Sequence, residues 1–240
     1  LGGEVLFSAR LEGIDVRDGS LQGLSYAHGG TSHQVPCDKL TLALGHSARD
    51  TQQMLHESGL RMVQKALSIG VRLEQRQAAI NHAQYGAFAD MGTLPAAEFH
   101  LSHKCSDGRG AYTFCMCPGG TVVNASSEPG RLCVNGMSPF ARNGENANAA
   151  VLVDVRPADF EDDHPLAGYA FQRRWEELAF QLGGGGWRAP AQLAADFVAG
   201  RLSASLGDVC PSVKPGVSLA NLEDALPPFA LRLAQAGLDL

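Results

Sequence analysis

The sequence predicts an α+β fold, an antiparallel or mixed β-sheet with packed helices, preceded by a β-meander. Before Pro165, short runs rich in β-branched, aromatic and sulfur-containing residues are separated by Gly and Pro, which is typical of antiparallel strands. After Pro165, apolar residues recur at helical intervals, as at Phe171, Trp175 and Leu178. Strands followed by helices, without strict alternation of the two, indicate the α+β class.

The N-terminal segment predicts the meander. Its strands are expected at 4–16, 20–27 and 37–44. Asp18-Gly19 is a favourable two-residue hairpin turn, and residues 28–33 are expected to form a second loop. The third strand ends in the apolar run Leu42–Leu44, directly before Gly45. A helix is expected over 50–58, because Met54 and Leu55 have helical spacing and Gly59 is a typical helix stop.

The remaining elements follow from the same patterns. Further strands are expected at 67–73, 98–102, 111–117, 121–125, 132–135 and 151–155. Helices are expected near 77–85, 171–182, 191–199 and 219–225. Phe171, Trp175 and Leu178 are interpreted as a core stripe.

Composition excludes several classes of function. The chain has 240 residues, a formal net charge of −6 and a pI of about 5.7, so it lacks the basic surface that binds nucleic acid or anionic membranes. No apolar run reaches the roughly 18 residues of a transmembrane helix. Six scattered cysteines indicate free thiols in a reducing, cytoplasmic compartment. The start at Leu1, without Met, suggests a piece of a longer polypeptide.

The densest chemical segment runs from Arg109 to Gly120. On a regular strand, Cys115 and Cys117 would project to the same side, because strand side chains alternate with a period of two. Pro118 removes a backbone donor, and Gly119-Gly120 allow a tight turn or close approach to a flat ligand. The cysteines are therefore candidates for a redox pair or for the wall of a cofactor site. The competing interpretation is that both sulfurs fill the core.

Zinc binding is the alternative function of the cysteine thiols. Five N/S ligands lie close together in the sequence: His100, His103, Cys105, Cys115 and Cys117. Their spacing is a poor match to structural zinc sites, where paired cysteines usually have two to four residues between them. We therefore assign no metal ligand, and keep a zinc- or thiol-containing binding module as the alternative function. A plain interaction domain with buried thiols is the third possibility.

Two glycine-containing turns have different interpretations. Gly183–Gly186 follows a helix, not a strand, and is therefore a connector and not a dinucleotide-binding turn. Pro190 is expected in the first turn of the next helix. Gly45-His46-Ser47 lies between an apolar strand and a helix, where ligands of α/β sheets and anionic groups commonly bind. Alternatively, Ser47 only caps the helix.

Three arginines in weakly charged segments are candidates to hold a substrate carboxylate: Arg72, Arg109 and Arg142. For Arg72, an ion pair with Glu74 is the competing interpretation. Asn135–Ser138 and Asn143–Asn148 are amide-rich segments that either form turns or bind a ligand through hydrogen bonds. Turns are the default expectation.

Several of these segments together resemble an uncharacterised family of bacterial FAD-dependent dehydrogenases, related at the fold level to glutathione reductase-like flavoproteins. The motifs, in chain order, are Leu42–Asp50, Gly70–Glu74, Tyr112–Gly120, Val134–Ser138, Ala141-Arg142 with Asn146–Asn148, and Ala189–Gln192. The resemblance implies a Gly-rich FAD-binding turn upstream of this chain, and none of its own segments has that pattern.

The resemblance also implies an organisation and a function. Residues 1–50 would be a remnant of the FAD-binding domain, 51–226 the substrate or cap domain, and 227–240 a return segment. The chain would cover the flavin and bind a small substrate in a hydride-transferring oxidoreductase, and would be inactive without the rest of its FAD-binding domain. Cofactor contacts would be Gly45, His46, Ser47, Gly119 and Gly120; substrate contacts would be Arg72, Arg109, Asn135, Ser138 and Arg142; Cys115 and Cys117 would be catalytic.

Overall fold

The structure, a computed structural model, describes residues 2–238. It separates into two compact units, of which the first contains Leu1–Gln64 with His164–Leu166 and the second Lys65–Asp163 with Ala167–Leu240. Antiparallel sheets and helices occur in the same chain, which confirms the predicted α+β class. Within the described part of the chain, no helix has both the length and the apolar character needed to cross a membrane. The predicted functional domain boundaries stay predictions.

The first unit is an antiparallel meander followed by one helix. Its elements are β1 (Arg10–Arg17), β2 (Ser20–His28), β3 (Thr31–Pro36) and α1 (Arg49–Glu57). Positive φ angles at Asp18 and Gly19 fit the predicted hairpin turn. The expected third strand at 37–44 is wrong. Gly29-Gly30, both with positive φ, reverse the chain at once, so that residues 31–36 pair with β2 instead.

The second unit contains most of the secondary structure. In chain order its elements are β4 (Leu67–Arg76), α2 (Gln77–Tyr85), β5 (Ser102–Lys104), β6 (Gly110–Cys117), β7 (Thr121–Asn124), β8 (Val134–Met137), β9 (Asn146–Val155), α3 (Ala167–Leu182), β10 (Ala189–Ala191), α4 (Ala194–Val198), β11 (Val217–Leu219) and α5 (Pro228–Leu238). Single turns of 3₁₀ helix lie at Gly86–Phe88, Pro157–Asp159 and Leu222–Ala225.

The central sheet of this unit has the strand order β4-β9-β6-β5, and all its neighbours are antiparallel. The hairpin β7-β8 and the parallel pair β10-β11 are separate two-stranded sheets. One face of the central sheet is apolar. Its residues Ala111 and Val153 pack with Ala230, Leu231 and Ala234 of α5, and these small side chains allow the helix to lie close to the strands.

The opposite face of the central sheet carries a different set of side chains. Residues directly opposite one another in adjacent strands project to the same side. Arg72, Ala150 and Phe114 form one such row across β4, β9 and β6, and Glu74, Asn148 and Cys117 form the next. We call the side of the sheet that carries these two rows the Arg72 face.

Several predicted elements are shifted, and a few elements were not predicted. The strand expected at 98–102 lies at Ser102–Lys104, and the helices expected at 191–199 and 219–225 are shorter and each follow a strand, β10 and β11. Pro190 is in β10, where it is paired with Ser218, and not in a helix. Residues 146–148, expected in a loop, begin β9, because pairing with β4 overrides the weak strand preference of Asn and Ala. Helix α5 was not predicted.

Candidate functional site

A β-bulge separates the two cysteines of β6. Phe114 is opposite Ala150 on β9, but Cys117 is opposite Asn148, so β6 contains one residue more than its partner over this interval. Cys115 lies in the bulge with a φ of 48°, a left-handed conformation that is unusual for a non-glycine residue. Cys115 is exposed, whereas Cys117 is only 6% exposed. The expectation that the thiols project together from a regular strand is therefore wrong, because the bulge interrupts the alternation.

Gly119 and Gly120 form a turn that packs directly against other backbone segments. The N–H of Gly119 donates to Gln77 Oε1 at 2.7 Å, and its carbonyl accepts from Gly144 N at 3.0 Å. A methyl group on Gly119, whose φ is 52°, would overlap the Arg142 carbonyl group. The turn therefore requires glycine on both conformational and steric grounds.

Ser138 holds the same turn from the β7-β8 side. Its Oγ donates to the Pro118 carbonyl oxygen at 2.8 Å. A Cβ on Gly120 would lie 2.5 Å from the carbonyl oxygen of Met137 and 2.9 Å from Ser138 Oγ. Ser138 and the two predicted glycines are thus brought together, and the hydrogen bond from Ser138 positions the turn.

Gln77 is a site residue that the sequence analysis did not identify. It is the first residue of α2, its side chain is buried, and its Nε2 donates to Asn81 Oδ1 at 2.8 Å and to the Ala97 carbonyl at 3.0 Å. Its Oε1 is the acceptor for the Gly119 N–H. The available signal was its spacing of three from Ile80, which places this polar residue on the buried side of the helix.

Arg72 is half-buried on the Arg72 face, and its guanidinium group contacts neutral acceptors. Its Nε donates to Asn148 Oδ1 at 2.6 Å, and its Nη2 to the Cys115 carbonyl at 2.8 Å. Nη2 also lies 3.4 Å from Cys117 Sγ. The contact of Nη1 is a long one, 3.4 Å to Asn135 Oδ1. The guanidinium group therefore links both predicted cysteines to two asparagine amides.

No carboxylate compensates the charge of Arg72 among residues 2–238. Glu74, the expected partner in the competing interpretation, instead accepts hydrogen bonds from Asn146 Nδ2 at 2.9 Å and from the Ser212 backbone N–H at 3.2 Å. The Arg72–Glu74 ion pair is thus not formed.

Asn148 was also missed as an individual site residue. It is 1% exposed, and its Oδ1 is committed to Arg72, which leaves Nδ2 without a hydrogen-bond partner in the described structure. A buried donor without an acceptor costs about 1–3 kcal/mol. The signal in the sequence was the alternation of Asn146 and Asn148 with Ala147 and Ala149, which is the period of a strand.

Gly136 makes room for this cluster. A methyl group on Gly136 would overlap the guanidinium of Arg72 and the Oδ1 atom of Asn148. The preceding residue, Asn135, accepts a hydrogen bond from the Gly136 N–H through Oδ1 at 2.8 Å. The β7-β8 hairpin therefore contributes one glycine and one oriented amide to the end of the Arg72 face.

Burial raises the pKa of the Cys117 thiol above its ordinary value. Arg72 opposes this effect, and the neighbouring Cys115 adds to it. Since an unperturbed thiol is already mostly protonated at neutral pH, Cys117 is a protonated, weakly nucleophilic thiol under those conditions. Its contact with Arg72 is therefore a positioning contact rather than activation of a thiolate.

The other two predicted arginines have acidic partners. Arg109 forms two hydrogen bonds with the carboxylate of Asp159, at 2.6 and 2.8 Å, and its Nε donates to Asp107 at 3.0 Å. It also lies over the ring of Phe229. Arg142 is exposed and paired with Glu98. A substrate role for either stays a prediction, and neither joins the Arg72 cluster.

Gly45, His46 and Ser47 lie in the first unit and form a turn before α1. The N-cap of that helix is Ala48, and no side chain caps it, so the interpretation of Ser47 as a helix cap is wrong. Gly45 has a φ of 66°, which favours glycine. Their role as cofactor contacts stays a prediction.

Zinc ligands do not converge in residues 2–238, where no group of three His, Cys, Asp or Glu side chains could hold a metal. Cys105 is part of the apolar cluster against α5, whereas His103 is on the exposed strand β5. Cys117 contacts Arg72 instead. The alternative of a zinc module therefore has no supporting geometry in that range.

Comparison with known proteins gives a family. The family described as FAD-dependent protein, C-terminal domain-like, matches residues 66–240. The chain belongs to this family. An uncharacterised protein of Clostridium beijerinckii (strain ATCC 51743 / NCIMB 8052) is 45% identical over 239 residues, which are 99% of this chain and 44% of the relative. The chain thus spans less than half the length of that relative. The predicted FAD-dependent family is confirmed at this level.

Proposed function

We propose that this chain is the flavin-covering and substrate-binding part of an FAD-dependent oxidoreductase. In the whole protein, a hydride would pass between a small substrate and FAD. The family membership supports the link to FAD. The single observation that carries the proposal is the meeting of the Gly119-Gly120 turn, the Cys115 bulge and the Arg72 cluster at one end of the central sheet.

The residues at this end of the sheet fit a flat, polar cofactor. Phe114 offers a 59% exposed aromatic ring, and Asn148 has a buried donor that lacks an acceptor. Flat heteroaromatic groups combine a face for stacking with hydrogen-bond acceptors at the ring edge. When bound, FAD supplies the acceptor of the hydride, and the protein orients it and tunes its electronics.

Most of the predicted site residues then have a proposed role, while a substrate role of Arg109 and Arg142 stays a prediction. Gly119, Gly120 and Ser138 form and position the turn beside the cofactor, while Arg72 and Asn135 bind substrate. Cys115 and Cys117 line the site, and Cys117, as a protonated thiol, excludes water and is not a base. Gly45, His46 and Ser47 of the first unit remain proposed cofactor contacts.

Partners and compartment are part of the proposal. We expect a small-molecule substrate, the remainder of the FAD-binding domain as a covalent or non-covalent partner, and no nucleic acid or membrane. The six cysteines, none of them in a disulfide, support a reducing compartment such as the cytoplasm.

The test uses the full-length clostridial relative, which is longer than this chain. After purification it should be yellow, with the visible absorption of a flavin, and denaturation should release FAD. A matched variant, in which alanine replaces the residue aligned with Gly119, should retain less flavin. This chain alone should bind FAD weakly or not at all.

A colourless relative that cannot be reconstituted with FAD would contradict the proposal. Elemental analysis of the same preparation covers the alternative. One equivalent of zinc, together with unfolding by a chelator, would favour the zinc-containing module instead.

A further inference from the structure

We propose that Arg72, Asn135 and Asn148 form a carboxylate subsite, and that the substrate is a small monocarboxylic acid with an apolar body. The inference deepens the proposed function by naming a substrate class. It rests on the proposed function only in treating the bound acid as the substrate. The binding itself depends only on residues of this chain.

The first support is charge. Arg72 is half-buried, its described contacts are neutral acceptors, and removal from water without a counter-charge is unfavourable. A carboxylate that binds here would supply the missing negative charge. Guanidinium groups are suited to it because their planar N–H donors match the two oxygens of a carboxylate. A neutral ligand would leave the charge uncompensated.

The second support is the orientation of two amides. Asn135 Oδ1 accepts from both the Gly136 N–H and Arg72 Nη1, so the donor end of that exposed amide is directed away from these contacts. Asn148 Oδ1 accepts from Arg72 Nε, which leaves Nδ2 as a buried donor with no acceptor in the described structure. Both amides thus present donors beside a cation, and such a set selects an acceptor that carries negative charge.

The third support is the row that contains Arg72. Across three adjacent strands it consists of Arg72, Ala150 and Phe114, and the ends of the row are about 10 Å apart at the usual strand spacing. Ala150 in the middle of the row is buried, and Arg72 Nη2 reaches the carbonyl of Cys115, the residue that follows Phe114 on β6. A carboxylate at the guanidinium would therefore lie beside β6, where the 59% exposed ring of Phe114 can pack against a short apolar body.

Phenylacetate is the probe for this subsite, because it combines a single carboxylate with a short apolar body. The experiment follows the side-chain N–H resonances of ¹⁵N-labelled protein, namely Nε–Hε of Arg72 and the Nδ2 pair of Asn148, during a titration. We expect saturable shifts of these signals. Phenylacetamide, which has the same shape but no charge, should bind at least roughly tenfold more weakly.

Asn148→Asp is the decisive variant. It keeps an oxygen for Arg72 Nε but adds a carboxylate next to the guanidinium, so that phenylacetate should bind roughly tenfold or more weakly. The matched control is Arg174→Gln, which removes an exposed arginine of α3 already paired with Glu161 and should leave the affinity unchanged. The dispersion of the backbone spectrum shows whether each variant is folded.

Three results would overturn the inference: no shift of the Arg72 signal, equal binding of phenylacetamide, or undiminished binding by a folded Asn148→Asp variant. These results are independent of flavin. If the full-length relative is yellow but this chain binds no carboxylate, only the proposal of the carboxylate subsite is contradicted. If the relative is colourless but this chain binds the carboxylate, only the proposed oxidoreductase function is contradicted.

Discussion

The two ends of the central sheet each hold an arginine, but in opposite electrostatic environments. At one end, Arg109 and Asp159, 13% and 14% exposed, form a two-point ion pair that Asp107 extends. At the other end, Arg72 contacts neutral oxygens and a thiol, with no carboxylate partner among the described residues. Each arginine has an acidic residue two positions away in the sequence, Glu74 for Arg72 and Asp107 for Arg109, so the difference arises only in the fold.

This difference separates stability from binding. Removal of one partner from a buried ion pair is strongly destabilising, because the remaining charge stays buried without compensation. A charge held by neutral acceptors is positioned but not neutralised. We therefore expect the Arg109 end to matter chiefly for the stability of the unit, and we propose that the Arg72 end binds a ligand.

The largest expected effect is at the paired end. Asp159→Asn should lower the free energy of unfolding by about 3 kcal/mol, because the guanidinium of Arg109 then stays buried without its main counter-charge. Urea denaturation measures the change. The control Glu161→Gln removes an exposed partner of Arg174 and should change stability by less than about 0.5 kcal/mol. Equal effects of both variants would contradict a special role for the Arg109–Asp159 pair.

The same pair has a defined pH dependence. The hydrogen bonds from Arg109 hold the pKa of Asp159 below its ordinary value. The folded state therefore favours the ionised carboxylate, and this contribution to stability is present above the unfolded pKa of about 4 and is lost as the pH falls through the lower folded value. The stability difference between wild type and Asp159→Asn should shrink at acidic pH in urea titrations. A difference independent of pH would exclude this linkage.

A smaller effect is expected at the turn beside the Arg72 end. Gln77→Ala should destabilise the chain by about 2 kcal/mol, since the Gly119 N–H and the Ala97 carbonyl lose their partner in a buried position. Hydrogen exchange of the Gly119 amide should accelerate more than that of amides in β9. Gln53→Ala, on the exposed side of α1, is the control. Unchanged exchange at Gly119 would show that Gln77 does not hold the turn.

The smallest effect concerns the two thiols and involves no loss of stability. Iodoacetamide at neutral pH should label exposed Cys115 before Cys117, because Cys117 is buried and burial raises its pKa. Peptide mass spectrometry after brief labelling gives the order. Labelling of Cys117 first would contradict the geometry of the bulge.

Local patterns of residue types in the sequence predicted much of the fold. The bounds of α2 agree with the prediction, and β2, β4, β6 and β7 lie where β-branched and aromatic residues indicated strands. The prediction of the meander was wrong at its third strand, because a two-residue glycine turn was interpreted as a longer loop. Helix α5 was missed because it follows two prolines that were interpreted as a return segment.

The candidate site was predictable in type but not in arrangement. The Cys115–Gly120 segment and Arg72 were identified from residue chemistry, and the structure brings them together. The bulge was not predictable, because it depends on the register between β6 and β9 rather than on either strand alone. Gln77 and Asn148 were missed because their importance lies in contacts between residues distant in sequence.

The most direct test of the contrast compares Arg72→Gln with Arg109→Gln in two assays, urea denaturation and phenylacetate titration. We expect Arg72→Gln to cost about 1 kcal/mol of stability and at least roughly tenfold in phenylacetate affinity. Arg109→Gln should cost about 3 kcal/mol, with unchanged affinity of the folded protein. If both variants lose affinity equally, or if Arg72→Gln binds phenylacetate as wild type does, the division between a stabilising end and a binding end is wrong.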